Sequence, residues 1–173
     1  CSSDLKENFM DKLFIVIPAY NEETNIRRTI DEWYPIVEKY NGDGQSRLVI
    51  INDGSKDNTY QILCDCAKTR PLLTPLTKPN GGHGPTLLYG YDYAIKNGAD
   101  FIFQTDSDGQ TNPEEFHQFW AARNSYDAVI GQRSVRGDGK SRKFVENIVC
   151  LLLRMIFGIR VSDANAPFRL MKA

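Results

Sequence analysis

The stretch that decides the fold is "LFIVIPAYNEETNIRRTIDEWYPIVEKY", residues 13–40. It begins with a continuous apolar run, rich in β-branched residues and ended by Pro18, which is typical of a strand buried on both faces of a sheet. Ile26, Ile30 and Trp33 then recur at helical spacing, behind acidic residues in the expected first turn. The stretch therefore predicts one strand followed by one amphipathic helix.

The same alternation continues along the chain. Two further strands are predicted at "RLVIIND" (47–53) and "DFIFQTD" (100–106). Three further helices are predicted at "NTYQILCDCAKT" with a cap at Asp57 or Asn58, at "TLLYGYDYAIKNG" ending at Gly98, and at "PEEFHQFWAARN" with Pro113 in its first turn. Such βαβα order predicts a single α/β domain with a mostly parallel sheet and helices on both faces.

Composition excludes several classes of protein. The 173 residues are 41% hydrophobic and 25% charged, which is ordinary for one globular domain. A formal charge of -1 without a basic patch argues against a nucleic-acid partner. No apolar run reaches the ~18 residues that a membrane span requires.

The four cysteines do not form a recognisable metal or disulfide pattern. Cys1, Cys64, Cys66 and Cys150 have neither zinc-ligand spacing nor the density of a disulfide framework, so the chain is interpreted as reduced and intracellular. Residues 1–12 are treated as an N-terminal tail, and the first nine are left out of the fold argument.

Polar residues gather immediately after the predicted strands. Ligands of parallel α/β sheets bind beyond the carboxyl ends of the strands. Three polar clusters lie there, at residues 18–22, 52–55 and 105–110. We therefore expect the three clusters to converge on one rim of the sheet.

Asp106 and Asp108 are the most distinctive pair in these clusters. In an extended strand, residues two apart face the same way, so both carboxylates can aim at one point. Their mutual repulsion is relieved by a divalent cation, and oxygen ligands suit Mg²⁺ or Mn²⁺. Gln110 can add a carbonyl oxygen. The alternative is a solvated Asp-Ser-Asp-Gly turn without a metal.

The remaining clusters allow a ligand or an ordinary turn. Asp53 can accept hydrogen bonds from a base or a ribose, or form an Asx turn. Tyr20 offers a ring for stacking a base, and Glu22 either serves a nucleotide or complements a helix N-terminus. The glycine-rich segment at 78–84 lets backbone amides approach an anion, whereas His83 is interpreted as a loop residue with hydrogen-bond partners.

Five segments together resemble the family-two glycosyltransferases of GT-A fold. They are "IVIPAYNEE", "VIINDGSKDNT", "NGGHGPTLLYG", "FQTDSDGQTNPEEF" and "AVIGQRSVRGDG", and the resemblance covers residues 13–172. The chain is most similar to the branch with dolichyl-phosphate mannose synthase and the bacterial polyprenyl-phosphate sugar transferases. That branch is favoured by Asp-x-Asp-x-Gln, by Gly131-Gln132-Arg133 and by the late "VSDANAPFRLMK".

The resemblance implies an inverting, metal-dependent transfer of a sugar from a UDP- or GDP-linked donor to a polyprenyl phosphate or a saccharide. By analogy, the nucleotide is bound by Pro18, Tyr20, Glu22, Asp53 and Asp106. The metal, Mg²⁺ or Mn²⁺, is bound by Asp106, Asp108 and Gln110. Arg133 approaches a donor or acceptor phosphate, and Asp163 is the candidate base if the acceptor is a hydroxyl. These residues leave the sugar, the acceptor and the oligomeric state open.

The chain departs from the family pattern at two places. A single carboxylate, Asp53, follows Asn52 where family members often have two acidic residues, so the nucleobase preference is open. Ala166-Pro167 replaces the usual Ser-Gly of the late motif, which weakens the acceptor assignment.

The resemblance also divides the chain and suggests where it works. Residues 13–112 form the nucleotide-sugar and metal-binding half, and residues 113–173 the acceptor-side half, expected to continue beyond this chain. The apolar helix predicted over 143–157 either packs against protein or lies on a membrane surface. We therefore expect a cytoplasmic protein, with peripheral binding at the inner face of a membrane as one option.

Two other functions are weighed. A sugar nucleotidyltransferase usually has a glycine-rich, basic loop after the first strand, where this chain has "PAYNEETN". A non-catalytic nucleotide-sugar binding module would be favoured by loss of the metal pair, but Asp106 and Asp108 are both present.

Overall fold

The computed structural model describes residues 11–42, 44–108, 112–131, 166 and 168–173. The strands are β1 (Leu13–Ala19), β2 (Arg47–Asp53), β3 (Leu73–Lys78), β4 (Phe101–Gln104), β5 (Ala128–Ile130) and β6 (Arg169–Lys172). The helices are α1 (Ile26–Lys39), α2 (Thr59–Ala67), α3 (His83–Lys96) and α4 (Phe116–Ala122), the last preceded by a 3₁₀ turn at Pro113–Glu115.

Within the described residues, the strands form one six-stranded sheet in the order β3-β2-β1-β4-β6-β5. Strands β3, β2, β1 and β4 are parallel neighbours, and β6 runs antiparallel to both β4 and β5. Five strands therefore point the same way and one is reversed. The prediction of an α/β domain with a mostly parallel sheet is confirmed.

Three of these strands are absent from the sequence-based expectations. Strand β3 contains Pro75 and three polar side chains, which does not match a buried strand. It lies at the end of the described sheet, where a missing N–H costs no ladder bond on the open side. Strands β5 and β6 have three and four residues, too few for a periodic signal.

Helices cover both faces of the sheet, as expected. Helices α1, α2 and α4 pack on one face, in a core cluster that contains the ring of Trp33. The rings of Phe103 and Phe168 lie 5.5 Å and 5.7 Å from that of Trp33. Among the described helices, only α3 packs on the other face, where a Cβ on Gly90 would come within 2.5 Å of Val16. The missing side chain of Gly90 lets α3 lie directly on β1.

Two helix starts differ from the sequence-based expectation. Helix α1 begins at Ile26, so Glu22 and Glu23 precede it and no acidic residue lies in its first turn. Helix α3 begins at His83, three residues before the predicted Thr86. The glycine-rich segment therefore leads straight into this helix.

The cap of α2 is provided by Asp57, one of the two predicted candidates. The Thr59 amide donates to Asp57 Oδ1 at 3.0 Å. The alternative, Asn58, makes no side-chain cap bond. None of the helices in the described part of the chain is long and apolar enough to cross a membrane. The apolar segment at 143–157 lies outside the described residues.

Candidate functional site

A cavity of about 520 Å³ opens beyond the carboxyl ends of β1, β2 and β4. Its lining comes from the three polar clusters and from the segment that leads into α3. The lining residues are Pro18, Ala19, Tyr20, Glu22, Asp53, Asn80, Gly82, His83, Thr86, Asp106, Ser107 and Asp108. The expected convergence of the clusters on one rim is therefore present.

Six of the nine residues singled out from the sequence line this cavity: Pro18, Tyr20, Glu22, Asp53, Asp106 and Asp108. The other three, Gln110, Arg133 and Asp163, lie outside the described residues. The roles assigned to all nine stay predictions.

The loop after β1 is tied to the loop after β2 by hydrogen bonds. Asn21 has a φ of 55°, a left-handed conformation that asparagine tolerates better than most residues. Its amide donates to Ser55 Oγ at 2.9 Å, and the Lys56 amide donates to its Oδ1 at 2.9 Å. The Glu22 amide adds a bond of 2.8 Å to Thr59 Oγ1. These bonds fix the cavity wall that carries Tyr20 and Glu22.

Tyr20 and Glu22 in that wall differ in how far they are exposed to the cavity. Tyr20 is 44% exposed, so a face of its ring is open to a flat partner. Glu22 is half-buried, and its Oε2 accepts a bond of 3.0 Å from Asn25 Nδ2. This bond places the Glu22 carboxylate beside the N-cap residue of α1, and both interpretations of Glu22 stay predictions.

Asp53 is a buried carboxylate with several internal partners. Its side chain is 5% exposed and forms an ion pair with Lys78, which is itself only 15% exposed. The Gly81 amide donates to Oδ1 and the Gly82 amide to Oδ2, each at 2.9 Å. Burial by itself raises the pKa of Asp53, but hydrogen bonds from Lys78, Gly81, Thr86 and Gly82 outweigh it and lower the pKa below its usual value.

The turn after Asp53 also approaches the glycine-rich segment closely. Gly54 has a φ of 65°, and a Cβ built on it would lie 2.6 Å from the Asn80 amide nitrogen. Asn80 Nδ2 donates to the Asp53 carbonyl at 3.0 Å. Only glycine fits at this position, because both the backbone angle and the space exclude a side chain.

Asp106 and Asp108 line the cavity beyond the end of β4. Strand β4 ends at Gln104, so the strand alternation used to pair the two carboxylates does not extend to them. The strand was predicted to reach Asp106, but its pairing with β1 ends at Gln104. The turn is instead placed by Thr29 of α1, whose hydroxyl donates to the Ser107 carbonyl at 3.1 Å. The ring of His83 approaches this side, with Nε2 3.9 Å from Asp106 Oδ1.

The donor set at this side fits a metal that is shared with a ligand. No group of three or more histidine, cysteine or acidic side chains that could hold an ion occurs among the described residues. Mg²⁺ is commonly bound by one or two carboxylates together with substrate phosphates and water. Two carboxylates are a donor set that fits Mg²⁺ or Mn²⁺ when phosphate oxygens and water complete the coordination.

Sequence reasoning missed Lys78 and Tyr91. Lys78 lies within the glycine-rich segment, but nothing local indicates that it pairs with Asp53. Tyr91 donates from its hydroxyl to Gln104 Oε1 at the end of β4, two residues before Asp106. Burial raises the pKa of Tyr91, and Asp106 adds to the increase while Arg169 opposes it.

Several known proteins are similar to this chain. An uncharacterized glycosyltransferase of Synechocystis is 31% identical over 92% of the chain and 50% of its own length. An undecaprenyl-phosphate mannosyltransferase of Micrococcus luteus is 27% identical over 94% of the chain and 67% of its own length. A dolichyl-phosphate beta-glucosyltransferase of Trichomonas vaginalis is 32% identical over 83% of the chain and 43% of its own length. The chain spans 43% to 67% of the length of these relatives.

Solved structures share the fold. Glucosyl-3-phosphoglycerate synthase of Mycobacterium tuberculosis, in complex with Mn²⁺, UDP and glucosyl-3-phosphoglycerate, superposes with a TM-score of 0.67 at 20% identity. The superposition covers 94% of this chain and 57% of that one. The predicted GT-A fold is therefore confirmed.

The family assignment rests on a match along most of the chain. The model of glycosyl transferase family 2 matches residues 14–168. The names of the Micrococcus and Trichomonas relatives fit the polyprenyl-phosphate branch that the sequence motifs indicated. The chain belongs to glycosyl transferase family 2.

Proposed function

We propose that this chain is the donor-binding part of an inverting glycosyltransferase, which moves a sugar from a UDP- or GDP-linked donor to an acceptor. One observation carries the proposal. In a family 2 chain, one cavity of about 520 Å³ is lined both by an exposed tyrosine ring and by two carboxylates. Its volume lies within the roughly 300–1,000 Å³ usual for small-molecule sites.

The nucleoside occupies the side formed by β1 and β2. Tyr20 stacks on the base, because its ring is exposed at the mouth. Pro18 and Glu22 complete this side, and Asp53 lies in the wall behind them. An aromatic ring accepts more than one base, so Tyr20 by itself does not choose between UDP and GDP.

The diphosphate occupies the side formed by β4. Asp106 and Asp108, with Gln110, bind Mg²⁺ or Mn²⁺ on the diphosphate. When bound, the ion stabilises the negative charge that develops on the leaving nucleoside diphosphate. The complex of the Mycobacterium structure with Mn²⁺ and UDP supports a divalent metal at this kind of site.

The acceptor is a polyprenyl phosphate or a saccharide. A polyprenyl phosphate is supported by the names of two relatives, an undecaprenyl-phosphate mannosyltransferase and a dolichyl-phosphate beta-glucosyltransferase. A phosphate oxygen attacks as an anion and needs no base, while Arg133 balances its charge. A hydroxyl acceptor would instead need Asp163 to remove its proton. A lipid acceptor also places the protein at the surface of a membrane, on its cytoplasmic side.

Titration calorimetry with UDP and GDP, with and without Mn²⁺, tests the donor site. We expect one nucleotide to bind more tightly with Mn²⁺, and Asp108→Ala to remove that metal dependence. Metal-independent binding that Asp108→Ala leaves unchanged would exclude the proposed metal and diphosphate contact.

Turnover is tested separately with the full-length protein. We expect free nucleoside diphosphate to be released from a sugar donor when a polyprenyl phosphate is supplied. Binding without release across a panel of donors and acceptors would indicate a non-catalytic nucleotide-sugar module. Formation of a nucleotide sugar from a nucleoside triphosphate would indicate a nucleotidyltransferase.

A further inference from the structure

We propose that Thr29 is a positioning residue for the proposed metal site, because its hydroxyl holds the aspartate turn (residues 105–108) against α1. The inference rests on the proposed function, in which Asp106 and Asp108 of this turn bind the ion. Thr29 is 1% exposed and is not among the residues that line the cavity. It therefore acts on the donor through the turn and not by contact.

The first observation is the hydrogen bond between α1 and the turn. The Thr29 hydroxyl donates to the Ser107 carbonyl at 3.1 Å, and both residues are buried. The carbonyl of Ser107 and the amide of Asp108 belong to one planar peptide unit. A bond to this carbonyl therefore fixes the backbone that carries Asp108, at a point in the chain between the two aspartates.

The second observation is that helix α1 does not need this hydroxyl for its own hydrogen bonds. A helical threonine often donates to the carbonyl four residues earlier, and the Asn25 carbonyl lies 3.3 Å from the Thr29 hydroxyl. That carbonyl already accepts the Thr29 amide at 3.0 Å. A hydroxyl has one proton to donate, and the Ser107 carbonyl is the nearer acceptor. Removal of the hydroxyl therefore affects the turn more than the helix.

Helix α1 is a fixed support for the bond. Ile26 and Ile30 are fully buried and Trp33 is 1% exposed, and all three belong to the core cluster on this face of the sheet. Ile26 lies three residues before Thr29 and Trp33 four residues after it, so both flank Thr29 on the same side of the helix. The packing of the core thereby sets the position of the hydroxyl.

The turn needs such a support because it lies beyond the sheet. Strand β4 ends at Gln104, and the Thr105 amide bonds the Val16 carbonyl at 3.2 Å. Ser107 follows outside any strand or helix, although it is only 6% exposed. A buried backbone carbonyl requires a hydrogen-bond donor, and in this turn the Thr29 hydroxyl provides one.

The same helix also contacts the proposed nucleoside side of the cavity. Asn25 lies one turn before Thr29, and its Nδ2 donates to Glu22 Oε2 at 3.0 Å. The Asn25 amide adds a bond of 2.9 Å to the Glu22 carbonyl. These bonds do not involve the Thr29 hydroxyl. Its removal should therefore disturb the aspartate turn and leave the nucleoside side in place.

The first measurement uses the ligand-free protein and needs no donor. Backbone ¹⁵N relaxation gives the order parameter of the Asp108 amide, which belongs to the bonded peptide unit. We expect Thr29→Val to lower it from about 0.85 to about 0.6 or below, and Thr29→Ser to keep the wild-type value. An amide equally ordered in wild type and Thr29→Val, or already flexible in wild type, would overturn the inference.

Control variants separate the hydroxyl from packing. Thr29→Ala and Thr29→Ser differ by the hydroxyl alone, so this pair decides if Thr29→Val does not fold. Thr69→Val removes a hydroxyl that donates to the Cys66 carbonyl at 3.3 Å just after α2, and it should leave the Asp108 amide unchanged. An ordered amide in Thr29→Val together with a flexible one in Thr29→Ser would assign Thr29 to packing and contradict the inference.

The second measurement relates the turn to the donor, by titration calorimetry with UDP and GDP. With Mn²⁺ present, we expect Thr29→Val to weaken the nucleotide that wild type binds by about fivefold to tenfold, and Thr29→Ser to bind like wild type. Without Mn²⁺, the three proteins should bind equally, because the bonds between Asn25 and Glu22 are unchanged. Equal losses with and without Mn²⁺ would contradict a role at the metal site.

Failure of this inference and failure of the proposed function give different results. If wild type binds a nucleotide in a metal-dependent way and Thr29→Val binds it equally well, the role of Thr29 fails while the donor site stands. If neither nucleotide binds wild type in the presence of Mn²⁺, the proposed function fails. The order parameter of the Asp108 amide still decides whether Thr29 holds the turn.

Discussion

The β2 side and the β4 side of the cavity balance their acidic groups differently. On the β2 side, the charge of Asp53 is matched inside the protein by Lys78 and two backbone amides. On the β4 side, Asp106 and Asp108 both line the cavity, and the His83 ring nitrogen lies 3.9 Å from Asp106. The charge of Asp53 is therefore matched by groups of the chain, whereas in the proposed function Asp106 and Asp108 also bind a cation on a diphosphate.

The carboxylates on the two sides are expected to contribute to different properties of the protein. A carboxylate that is bonded internally contributes to stability and to the shape of the wall. Carboxylates that bind a cation contribute to ligand binding instead. Substitutions on the two sides should therefore separate stability from binding.

The largest expected effect is on the β4 side. Asp108→Asn should lower kcat by about 10²–10³-fold, because a ligand of the ion that stabilises the leaving group is lost. The ligand-free variant should unfold close to the temperature of wild type, because Asp108 is exposed. Turnover assays and thermal unfolding measure the two quantities. A clear loss of stability with activity retained would reverse the contrast.

The next effect is on the β2 side. Asp53→Asn should lower the free energy of unfolding by about 2–3 kcal/mol, because it removes one partner of a buried ion pair and leaves Lys78 without its counter-charge. Denaturant unfolding measures this difference. A variant as stable as wild type would mean that the Asp53–Lys78 ion pair does not stabilise the wall.

Gly54→Ala should destabilise the protein by about 1–2 kcal/mol. The alanine Cβ at a φ of 65° is strained, and it would lie 2.6 Å from the Asn80 nitrogen. Gly84→Ala is the matched control, since nothing lies within 4 Å of a Cβ there. Equal stability of the two variants would show that the turn and the loop are not in close contact.

The pH dependence of stability sharpens the comparison further. The folded state lowers the pKa of Asp53, so the unfolded chain binds its proton first as the pH falls. The stabilisation is fully present above the unfolded value, about 4, and is lost as the pH drops through the folded value, with a slope of at most about 1.4 kcal/mol per pH unit. In denaturant unfolding, Asp53→Asn should lose less stability than wild type between pH 5 and 2, because the wild-type loss includes the binding of about one proton by Asp53. An identical profile would exclude Asp53 as a contributor.

The smallest effect is expected away from the cavity. Asp92→Asn removes an i,i+4 ion pair whose side chains are 57% and 70% exposed, so stability should change by less than about 0.5 kcal/mol. Denaturant unfolding of Asp92→Asn and Asp53→Asn under the same conditions checks whether the buried ion pair contributes more stability than the exposed one. Equal losses of stability in the two variants would show that burial does not decide the contribution.

Sequence reasoning recovered the parts of the fold that have a local signal. The apolar run of β1 and the spacing of Ile26, Ile30 and Trp33 identify a strand and a helix without any knowledge of their neighbours. Strand β3 was missed because Pro75 and its polar residues are tolerated only at the margin of the described sheet. The short β6 was missed because its place between β4 and β5 depends on long-range pairing.

The candidate site also has a part that the sequence predicts and a part that only the structure shows. The sequence by itself determined that 18–22, 52–55 and 105–108 meet at one rim, because the carboxyl ends of parallel strands share an edge. Only the tertiary structure decided what Asp53 does there. Its partners Lys78, Gly81 and Gly82 are 25 to 29 residues away in the chain, and their bonds form only after β2 and β3 pair side by side. Contacts across that distance leave no periodicity in the sequence, so their chemistry is readable only from the folded chain.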